Sequence, residues 1–238
     1  PEFVSSTDGP PTEYQARRTY RESWNQGVFA PALPEAGLFM PLAASRFGDQ
    51  LVLIPRLFSD TAGRDLASLL TEANLAVYRD GELIHQGPEL FAELDVPPAE
   101  ASYRMEAEAT RADWYPLSTQ ASLAWTFRSG HVDEATEVPL PVSVVRFDVR
   151  LDQHNTAPAG RAYPVPVQVV PQPGSAAAAV TDLTVEVSYD DGQTWQEVPV
   201  RGGRLVVLHH PDGDGFVSLR ASATDADGNP VEQTVIRA

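Results

Sequence analysis

Apolar and polar residues alternate with a period of two along several short segments of the chain. Residues 101–109, 119–131, 141–153 and 216–225 show this spacing. Successive side chains of a β-strand point to opposite faces, so the alternation predicts strands with one buried and one solvated face. A further apolar run at 49–60, bounded by turn residues, predicts a buried strand.

Turn-forming residues separate these segments. In the stretch NLAVYRDGELIHQG, Asp80-Gly81 lies between two apolar runs, and Asp-Gly supplies the positive φ angles of a two-residue hairpin turn. Pro164 and Pro166 interrupt a later segment, which predicts that this segment lies at a sheet edge or a bulge. The segment 62–73 also has a spacing that fits a helix, and its sequence leaves helix and strand open.

The strand segments indicate an all-β protein with two tandem β-sandwich domains. About seven short segments follow residue 141 at a spacing of roughly ten residues, which is typical of an immunoglobulin-like or fibronectin-III-like sandwich. We expect that domain over residues 141–238 and a more irregular β-sandwich over residues 17–140. Residues 1–16 are polar and rich in turn formers, and they are interpreted as a linker or the remnant of a tag.

The charge balance narrows the classes of partner. The chain has 33 acidic and 17 basic residues, a formal net charge of −16, and every basic residue is arginine. This charge opposes binding to nucleic-acid phosphates and to anionic membrane surfaces, so neither nucleic-acid binding nor membrane insertion is expected. Cysteine is absent, which excludes disulfides, thiolate zinc sites and a thiol nucleophile.

One short motif near the C-terminus has a known counterpart. Residues 188–195, SYDDGQTW, fit the pattern S-x-D-x-G-x-T-W and resemble the Asp-box of sialidases and other β-propeller proteins. A propeller enzyme needs several blades with a copy each, whereas this chain has one copy. Gly192 can adopt a left-handed conformation, and Asp190 and Thr194 can satisfy backbone groups across a turn. We therefore interpret the motif as a structural hairpin.

A second acidic turn provides candidate metal ligands. The residues Asp225, Asp227 and Asn229 have oxygen-bearing side chains with the spacing at which calcium loops begin, which makes calcium the one candidate cofactor. The alternative is a tight turn, because the same residue types favour turns and the distal glutamate of an EF-hand is absent. The chain contains no G-x-S-x-G, no H-E-x-x-H and no Gly-rich phosphate loop, so no catalytic residue is assigned.

Aromatic residues of the first half form a candidate glycan platform. Trp24, Trp114 and Tyr115 lie there, the last two beside turn residues in ADWYPLS. Exposed aromatic faces on a β-sandwich can stack on sugar rings. The alternative is that these rings cover hydrophobic edges of the core.

The C-terminal segments VEVSYDDGQTWQEVPV and FVSLRASATDADGNPVEQTVIRA resemble the end of the non-catalytic C-terminal region of large secreted subtilisin-like serine proteases of actinobacteria. LSTQASLAWTFRSGH and APAGRAY, further upstream, are also similar to that region. The resemblance implies a secreted, extracellular, multidomain serine endopeptidase as the parent protein. It implies for this chain a function as an accessory region that modulates the stability or substrate access of the catalytic domain.

The catalytic motifs of that family are missing from the chain. There is no D-[ST]-G, no H-G-T and no G-T-S-M-A segment, so none of the family's functional residues has a counterpart here. We therefore expect no enzymatic activity of the chain itself. The expected partners are the catalytic domain of the parent protease and a protein or polysaccharide substrate. The alternative function is a module that attaches to carbohydrate or cell wall.

Overall fold

The computed structural model describes residues 5–8, 13–20, 24–34 and 42–238 of the chain. These residues form nineteen β-strands and no helix, hence none that could span a membrane. The strands in chain order are β1 (Ser5–Asp8), β2 (Ala30–Ala32), β3 (Ala44–Phe47), β4 (Gln50–Leu53), β5 (Arg56–Ser59), β6 (Asp65–Ser68), β7 (Leu70–Arg79), β8 (Glu82–Gly87), β9 (Ala92–Asp95), β10 (Ala101–Arg111), β11 (Gln120–Ser129), β12 (Val138–Pro139), β13 (Ser143–Phe147), β14 (Ala162–Pro171), β15 (Val180–Ser188), β16 (Gln196–Glu197), β17 (Leu205–His209), β18 (Ser218–Asp225) and β19 (Pro230–Ile236).

The largest element is an antiparallel eight-stranded sheet with the order β16-β15-β18-β19-β11-β10-β7-β8. At its centre β11 pairs with β19, from Gln120 opposite Ile236 to Trp125 opposite Val231. The sheet therefore combines four strands from each side of residue 140, where the boundary between two domains is predicted. The hydrogen-bonded sheet is continuous across that point, and the division into domains stays a prediction.

Three smaller sheets accompany the large one, with the orders β13-β14-β17, β12-β3-β4-β9 and β1-β6-β5-β2. Buried residues from both halves of the chain belong to one hydrophobic core cluster. The all-β, sandwich-type architecture predicted from the sequence is thus confirmed. The seven strands expected after residue 141 are also present, three in the β13-β14-β17 sheet and four in the large sheet.

The period-two pattern explains the two faces of the large sheet. Tyr103 and Met105 of β10 are fully buried, as is Trp125, which lies opposite Met105 on β11. Arg104 and Glu106 alternate with them and reach the outer face. The predicted half-buried strands are therefore confirmed for both segments.

Two side chains of the large sheet bind the backbone of β13 directly. The buried amide of Gln233 accepts the N–H of Val145 (2.9 Å) and donates to its carbonyl (2.6 Å). The indole N–H of Trp125 donates to the carbonyl of Ser143 (2.7 Å). Gln233 thus pairs with the edge of β13 in the way that a neighbouring strand would, and it holds the two layers together.

The helical alternative for residues 62–73 is wrong. This segment contains β6 and the start of β7, and β7 pairs with β10 along its whole length. β10 pairs also with those residues of β7 that lie beyond the part paired with the hairpin strand β8, and β7 is therefore longer than the hairpin alone requires. The apolar run at 49–60 forms two short strands, β4 and β5, instead of one.

Candidate functional site

The Asp-box residues form a closed turn between β15 and β16. The carboxylate of Asp190 accepts hydrogen bonds from the backbone N–H (2.8 Å) and the hydroxyl (2.6 Å) of Thr194. The Ser188 hydroxyl donates to Asp190 (2.7 Å) and accepts the N–H of Gly192 (2.9 Å). The hydroxyl and N–H of Thr194, together with the Ser188 hydroxyl, lower the pKa of Asp190 to about 2. Asp190 is therefore committed to the turn as an ionised acceptor.

Residues outside the hairpin fix its position on the sheet. Arg237, just after β19, donates two hydrogen bonds to Asp191 (3.0 and 2.7 Å). Gly192 has a φ of 83°, and a Cβ there would lie 2.8 Å from a side chain of β19. Trp195 packs against the guanidinium of Arg220, whose Cζ is 4.7 Å from the ring centroid. These contacts agree with the interpretation of the motif as a structural hairpin.

The candidate calcium ligands lie in a turn that has the same design. The Asp225 carboxylate accepts the N–H groups of Asp227 (3.0 Å) and Asn229 (2.8 Å) and the side-chain amide of Asn229 (2.9 Å). Burial opposes ionisation of Asp225, yet these hydrogen bonds and the N–H of Ala178 lower its pKa. Asp227 joins this network through its backbone. The described residues contain no group of three or more His, Cys, Asp or Glu arranged to hold a metal, and calcium binding stays a prediction.

Two further loops repeat this arrangement and were not singled out from the sequence. The Asp152 carboxylate accepts the N–H groups two and four positions later (2.8 and 2.9 Å), and Asp60 does the same (both 3.0 Å). In each loop the third residue after the aspartate, Asn155 or Gly63, has a positive φ. An aspartate followed at the third position by Gly or Asn is the local signal that could have predicted both turns.

The three aromatic residues of the predicted glycan platform make different contacts. Trp114 is 58% exposed, and its ring centroid lies 6.2 Å from that of Tyr115. Tyr115 lies under the guanidinium of Arg111, whose Cζ is 3.8 Å from the ring centroid. Trp24 is 51% exposed and stacks against Arg64 at 3.9 Å. Trp24 and Tyr115 therefore each pack against an arginine, and both tryptophans stay more than half exposed.

An aspartate–histidine pair lies on the surface beside β3. Asp49 Oδ1 is 2.9 Å from His131 Nδ1 and 3.3 Å from a terminal nitrogen of Arg46. The hydrogen bond with His131 lowers the pKa of Asp49. Arg46 is buried and also donates to the carbonyl of Gly48 (2.9 Å). No hydroxyl among the described residues is hydrogen-bonded to His131, so these residues supply the pair with no nucleophile of the kind that a catalytic triad has.

A depression of about 800 Å³ lies between β13 and the loop that follows β5. Arg146, one of its wall residues, donates to the carbonyls of Ala30 (3.3 Å), Pro31 (3.0 Å) and Asp60. Burial lowers the pKa of Arg146 to about 10. These contacts commit Arg146 to joining β13 with the neighbouring backbone.

The outer face of the eight-stranded sheet contains a polar groove of about 530 Å³. Its floor is made of small side chains from the two central strands, Ser122 and Ala124 of β11 and Thr234 of β19. Longer side chains of the flanking strands β10 and β18 stand on either side. Three strand spacings separate β10 from β18, or roughly 14 Å. The groove therefore exists because β11 and β19 are neighbours and place the small residues Ser122, Ala124 and Thr234 between longer side chains.

Two arginines line the groove and are hydrogen-bonded to carboxylates of the same face. Arg104 bridges β10 and β19, with hydrogen bonds to Glu106 (2.6 Å) and Glu232 (3.1 Å). Arg220 makes two hydrogen bonds to Glu186 (2.6 and 2.7 Å). The contact with Glu232 raises the pKa of Arg104, and the contact with Arg220 lowers the pKa of Glu186. Both guanidiniums are thus held in place by carboxylates of the same face.

Sequence reasoning did not predict this groove. The alternation of β11 indicates that Ser122 and Ala124 face solvent, but their neighbours on β19 are separated from them by more than a hundred residues of chain. The candidate ligands and aromatic residues chosen from the sequence do not line the groove. No protein-family model matches the chain, and no curated protein is significantly similar to it.

Proposed function

We propose that this chain is a non-catalytic accessory region of an extracellular subtilisin-like serine protease, which modulates the stability or substrate access of the catalytic domain. The observation that supports this most is that the aspartates of the two C-terminal motifs are hydrogen-bonded within their own turns. Asp190 and Asp225 lie in the two segments that resemble the protease C-terminal region, and both carboxylates are taken up by hydrogen bonds within their turns. Residues of this kind stabilise the fold, so contacts with a partner would be made by the surrounding surfaces.

The fold is suited to that role. We infer an immunoglobulin-like sandwich over residues 141–238, supported by three strands in the β13-β14-β17 sheet and four in β16-β15-β18-β19. Its last strand, β19, pairs with β11 of the first half. A rigid sheet of this width offers a neighbouring domain a surface whose side chains are fixed in register.

The direct test uses the parent protease with and without the region that corresponds to residues 17–238. We expect the deletion to lower the temperature of thermal inactivation or to change the ratio of casein to short-peptide hydrolysis. The rate on the short peptide at low temperature should stay unchanged, because the catalytic residues lie elsewhere. A deleted enzyme with the same inactivation temperature and the same substrate ratio would contradict the proposal.

The isolated chain provides a second test. We expect it to hydrolyse neither casein nor a fluorogenic peptide, because the described residues hold no hydroxyl paired with the Asp49–His131 dyad. A turnover that co-purifies with the chain and disappears in the His131→Gln variant would show that the non-catalytic assignment is wrong.

Attachment to a polysaccharide is the second candidate function, and the exposure of Trp24 and Trp114 favours it. A pull-down on insoluble cellulose, chitin and peptidoglycan tests it. We expect retention that the Trp114→Ala variant loses and that the matched variant Phe91→Ala, at an exposed ring elsewhere, keeps. Equal retention of both variants, or no retention on any glycan, counts against this function.

A further inference from the structure

Aspartate is followed by glycine at five places in the described part of the chain: Asp80, Asp191, Asp212, Asp214 and Asp227. A sixth pair, Asp8-Gly9, lies partly outside that part. Glycine has no side chain, so its backbone nitrogen can approach the carboxyl carbon of the preceding aspartate closely. This approach requires that the carboxyl group and the following N–H are both free of other partners. Hydrogen bonds therefore decide which of the pairs can react.

The pair at Asp191 is held at both of its reacting groups. The carboxylate of Asp191 accepts two hydrogen bonds from the guanidinium of Arg237 (3.0 and 2.7 Å). The N–H of Gly192 donates to the hydroxyl of Ser188 (2.9 Å). Both groups would have to give up these hydrogen bonds before the nitrogen could reach the carboxyl carbon.

The pairs at Asp80 and Asp227 are each held at one reacting group. The carboxylate of Asp80 accepts the N–H of Ser102 (3.0 Å), which lies on the neighbouring strand β10. The N–H of Gly228, which follows Asp227, donates to the carbonyl of Asp225 (3.1 Å). Reaction at either pair therefore requires that a hydrogen bond of the turn is broken first.

The remaining two pairs lie in the loop between β17 and β18, whose residues 211–216 are all exposed. The carboxylates of Asp212 and Asp214 have no hydrogen bond or ion pair with a described residue. The same holds for the N–H groups of Gly213 and Gly215. An exposed segment without hydrogen bonds rearranges at little cost in free energy, so both pairs can adopt the geometry that the reaction needs.

Asp214 is the freer of these two aspartates. A Cβ built on Gly160 would collide with Oδ1 of Asp212, so the Asp212 carboxylate packs against this glycine. The N–H of Gly160 also donates to the carbonyl of Pro211 (2.9 Å), which fixes the chain just before Asp212. A Cβ built on Gly215 would meet no atom within 4 Å. The segment that follows Asp214 therefore lies in open space.

We propose that Asp214 is a site of spontaneous isomerisation to isoaspartate in the folded chain, through a cyclic imide formed with Gly215. The nitrogen of Gly215 attacks Cγ of the protonated carboxyl group, and its proton leaves with the carboxyl hydroxyl as one water molecule. Water then opens the ring. Attack at the main-chain carbonyl carbon gives isoaspartate, and attack at Cγ restores aspartate. One water molecule leaves and one returns, and nothing is oxidised or reduced.

The product changes the loop without changing its formal charge. The main chain then runs through Cβ and Cγ of Asp214 and is one atom longer, and the free carboxylate lies on the α-carbon. Hydrogen bonds fix the loop on either side, at the carbonyls of Pro211 and Val217, so we expect β17 and β18 to keep their places. The inference goes beyond the proposed function, and either can fail without the other.

The experiment incubates the folded chain at neutral pH in heavy-oxygen water and follows its peptides by mass spectrometry. Each passage through the ring adds one heavy oxygen atom, and electron-transfer fragmentation distinguishes isoaspartate from aspartate. We expect label and isoaspartate to accumulate first at Asp214, later at Asp212, and not at Asp191 over the same period. In the chain unfolded by urea we expect all three to react at similar rates, because the fold no longer restricts them.

Two variants test the assignment to Asp214. In Gly215→Val the branched side chain hinders attack by the nitrogen, and in Asp214→Glu the charge is kept but the ring would have to be larger. A side chain at Gly215 meets no atom within 4 Å, and its φ lies outside the left-handed region, so the fold should stay intact. We expect both variants to lose the label and the isoaspartate at this position. The matched variant Asp227→Glu should react at Asp214 like the wild type.

Three results would overturn the proposal. Label that appears equally at Asp80, Asp191 and Asp214 of the folded chain would show that the hydrogen bonds do not decide the reaction. Undiminished isoaspartate at Asp214 in the Gly215→Val variant would show that ring closure with the next nitrogen is not the route. A folded chain without label, at a time when the unfolded chain has reacted completely, would show that the loop does not reach the reactive geometry.

Discussion

Replacing Gln233 by leucine should destabilise the fold strongly, although leucine is the more hydrophobic residue. The side chain of Gln233 is buried and pairs with both the N–H (2.9 Å) and the carbonyl (2.6 Å) of Val145. Leucine would fill similar space but leave these two backbone groups buried without a partner. The edge of β13 would then have no hydrogen-bonding partner at Val145 in place of the Gln233 amide.

The magnitude follows from these two groups. Each unsatisfied buried group costs about 1–3 kcal/mol, so the loss is about 2–6 kcal/mol. Burying the leucine side chain in place of the amide returns about 1–2 kcal/mol. We therefore expect a net decrease in the free energy of unfolding that lies within about 0–5 kcal/mol and is centred on about 2.5 kcal/mol. For a chain of this size, each kcal/mol lowers the melting temperature by about 2–4 °C.

Urea unfolding followed by tryptophan fluorescence measures this change, because the buried Trp125 reports on the same interface. Gln120→Leu is the matched control, since Gln120 lies on the same sheet and is exposed. Its effect should stay within about 0.5 kcal/mol. A Gln233→Leu variant as stable as the control would show that the Gln233 amide does not hold the two layers together.

Three further results are expected. Gly192→Ala should lose up to about 1 kcal/mol more stability than Gly63→Ala. Both glycines have a φ of 83°, but only at Gly192 is a side chain, that of Ile236, close to the added methyl group. Equal losses of stability in urea titrations would contradict this crowding at Gly192. Burial lowers the pKa of His210, so the unfolded chain binds its proton more readily. Stability should thus fall as the pH drops below about 6.5, the ordinary value, and a His210→Phe variant that keeps this part of the pH dependence would exclude His210 as the cause. Calorimetry of the intact chain should give one unfolding transition, because sheet and core cross residue 140; two resolved transitions would favour two independent domains.

Local patterns predicted the parts of the fold whose causes are local. The alternation in β10 and β11 was sufficient because each strand has one buried face. The hairpin at Asp80-Gly81 followed from the turn chemistry, and both residues have the positive φ that it requires. The helical alternative for residues 62–73 failed because pairing with β10, which lies far along the chain, decides the conformation of β7.

The prolines of β14 illustrate a prediction that needs the pairing to be understood. Pro164 and Pro166 indicated a sheet edge, yet β14 is the middle strand of its sheet. Both prolines lie in the part of β14 that pairs with β17, whereas β13 pairs with the part from Val167 onwards. The two prolines, which lack an N–H group, therefore lie where β14 has a partner strand on one side only. At these positions β14 is locally an edge strand, where proline is tolerated.

The candidate site was predictable only in part. The turn hydrogen bonds of Asp190 and Thr194 follow from residue types within the motif, and the structure contains them. The groove does not follow from any local pattern, because its floor combines Ser122 with Thr234 through the β11–β19 register. Without knowledge of that register, the small outer residues of the two strands look like unrelated surface positions.

The pairing of β11 with β19 joins the two halves of the chain and forms the groove. The chain has no cysteine, so the double variant Ser122→Cys with Thr234→Cys tests the register without interference. These residues lie directly opposite each other, within the Cα distance of about 4.4–6.8 Å that a disulfide spans. We expect a complete intramolecular disulfide on mild oxidation, found by mass spectrometry, and none for Ser122→Cys with Arg220→Cys, which lies one strand further away. Two free thiols in the first variant, or disulfide-linked dimers in place of the internal bond, would contradict it.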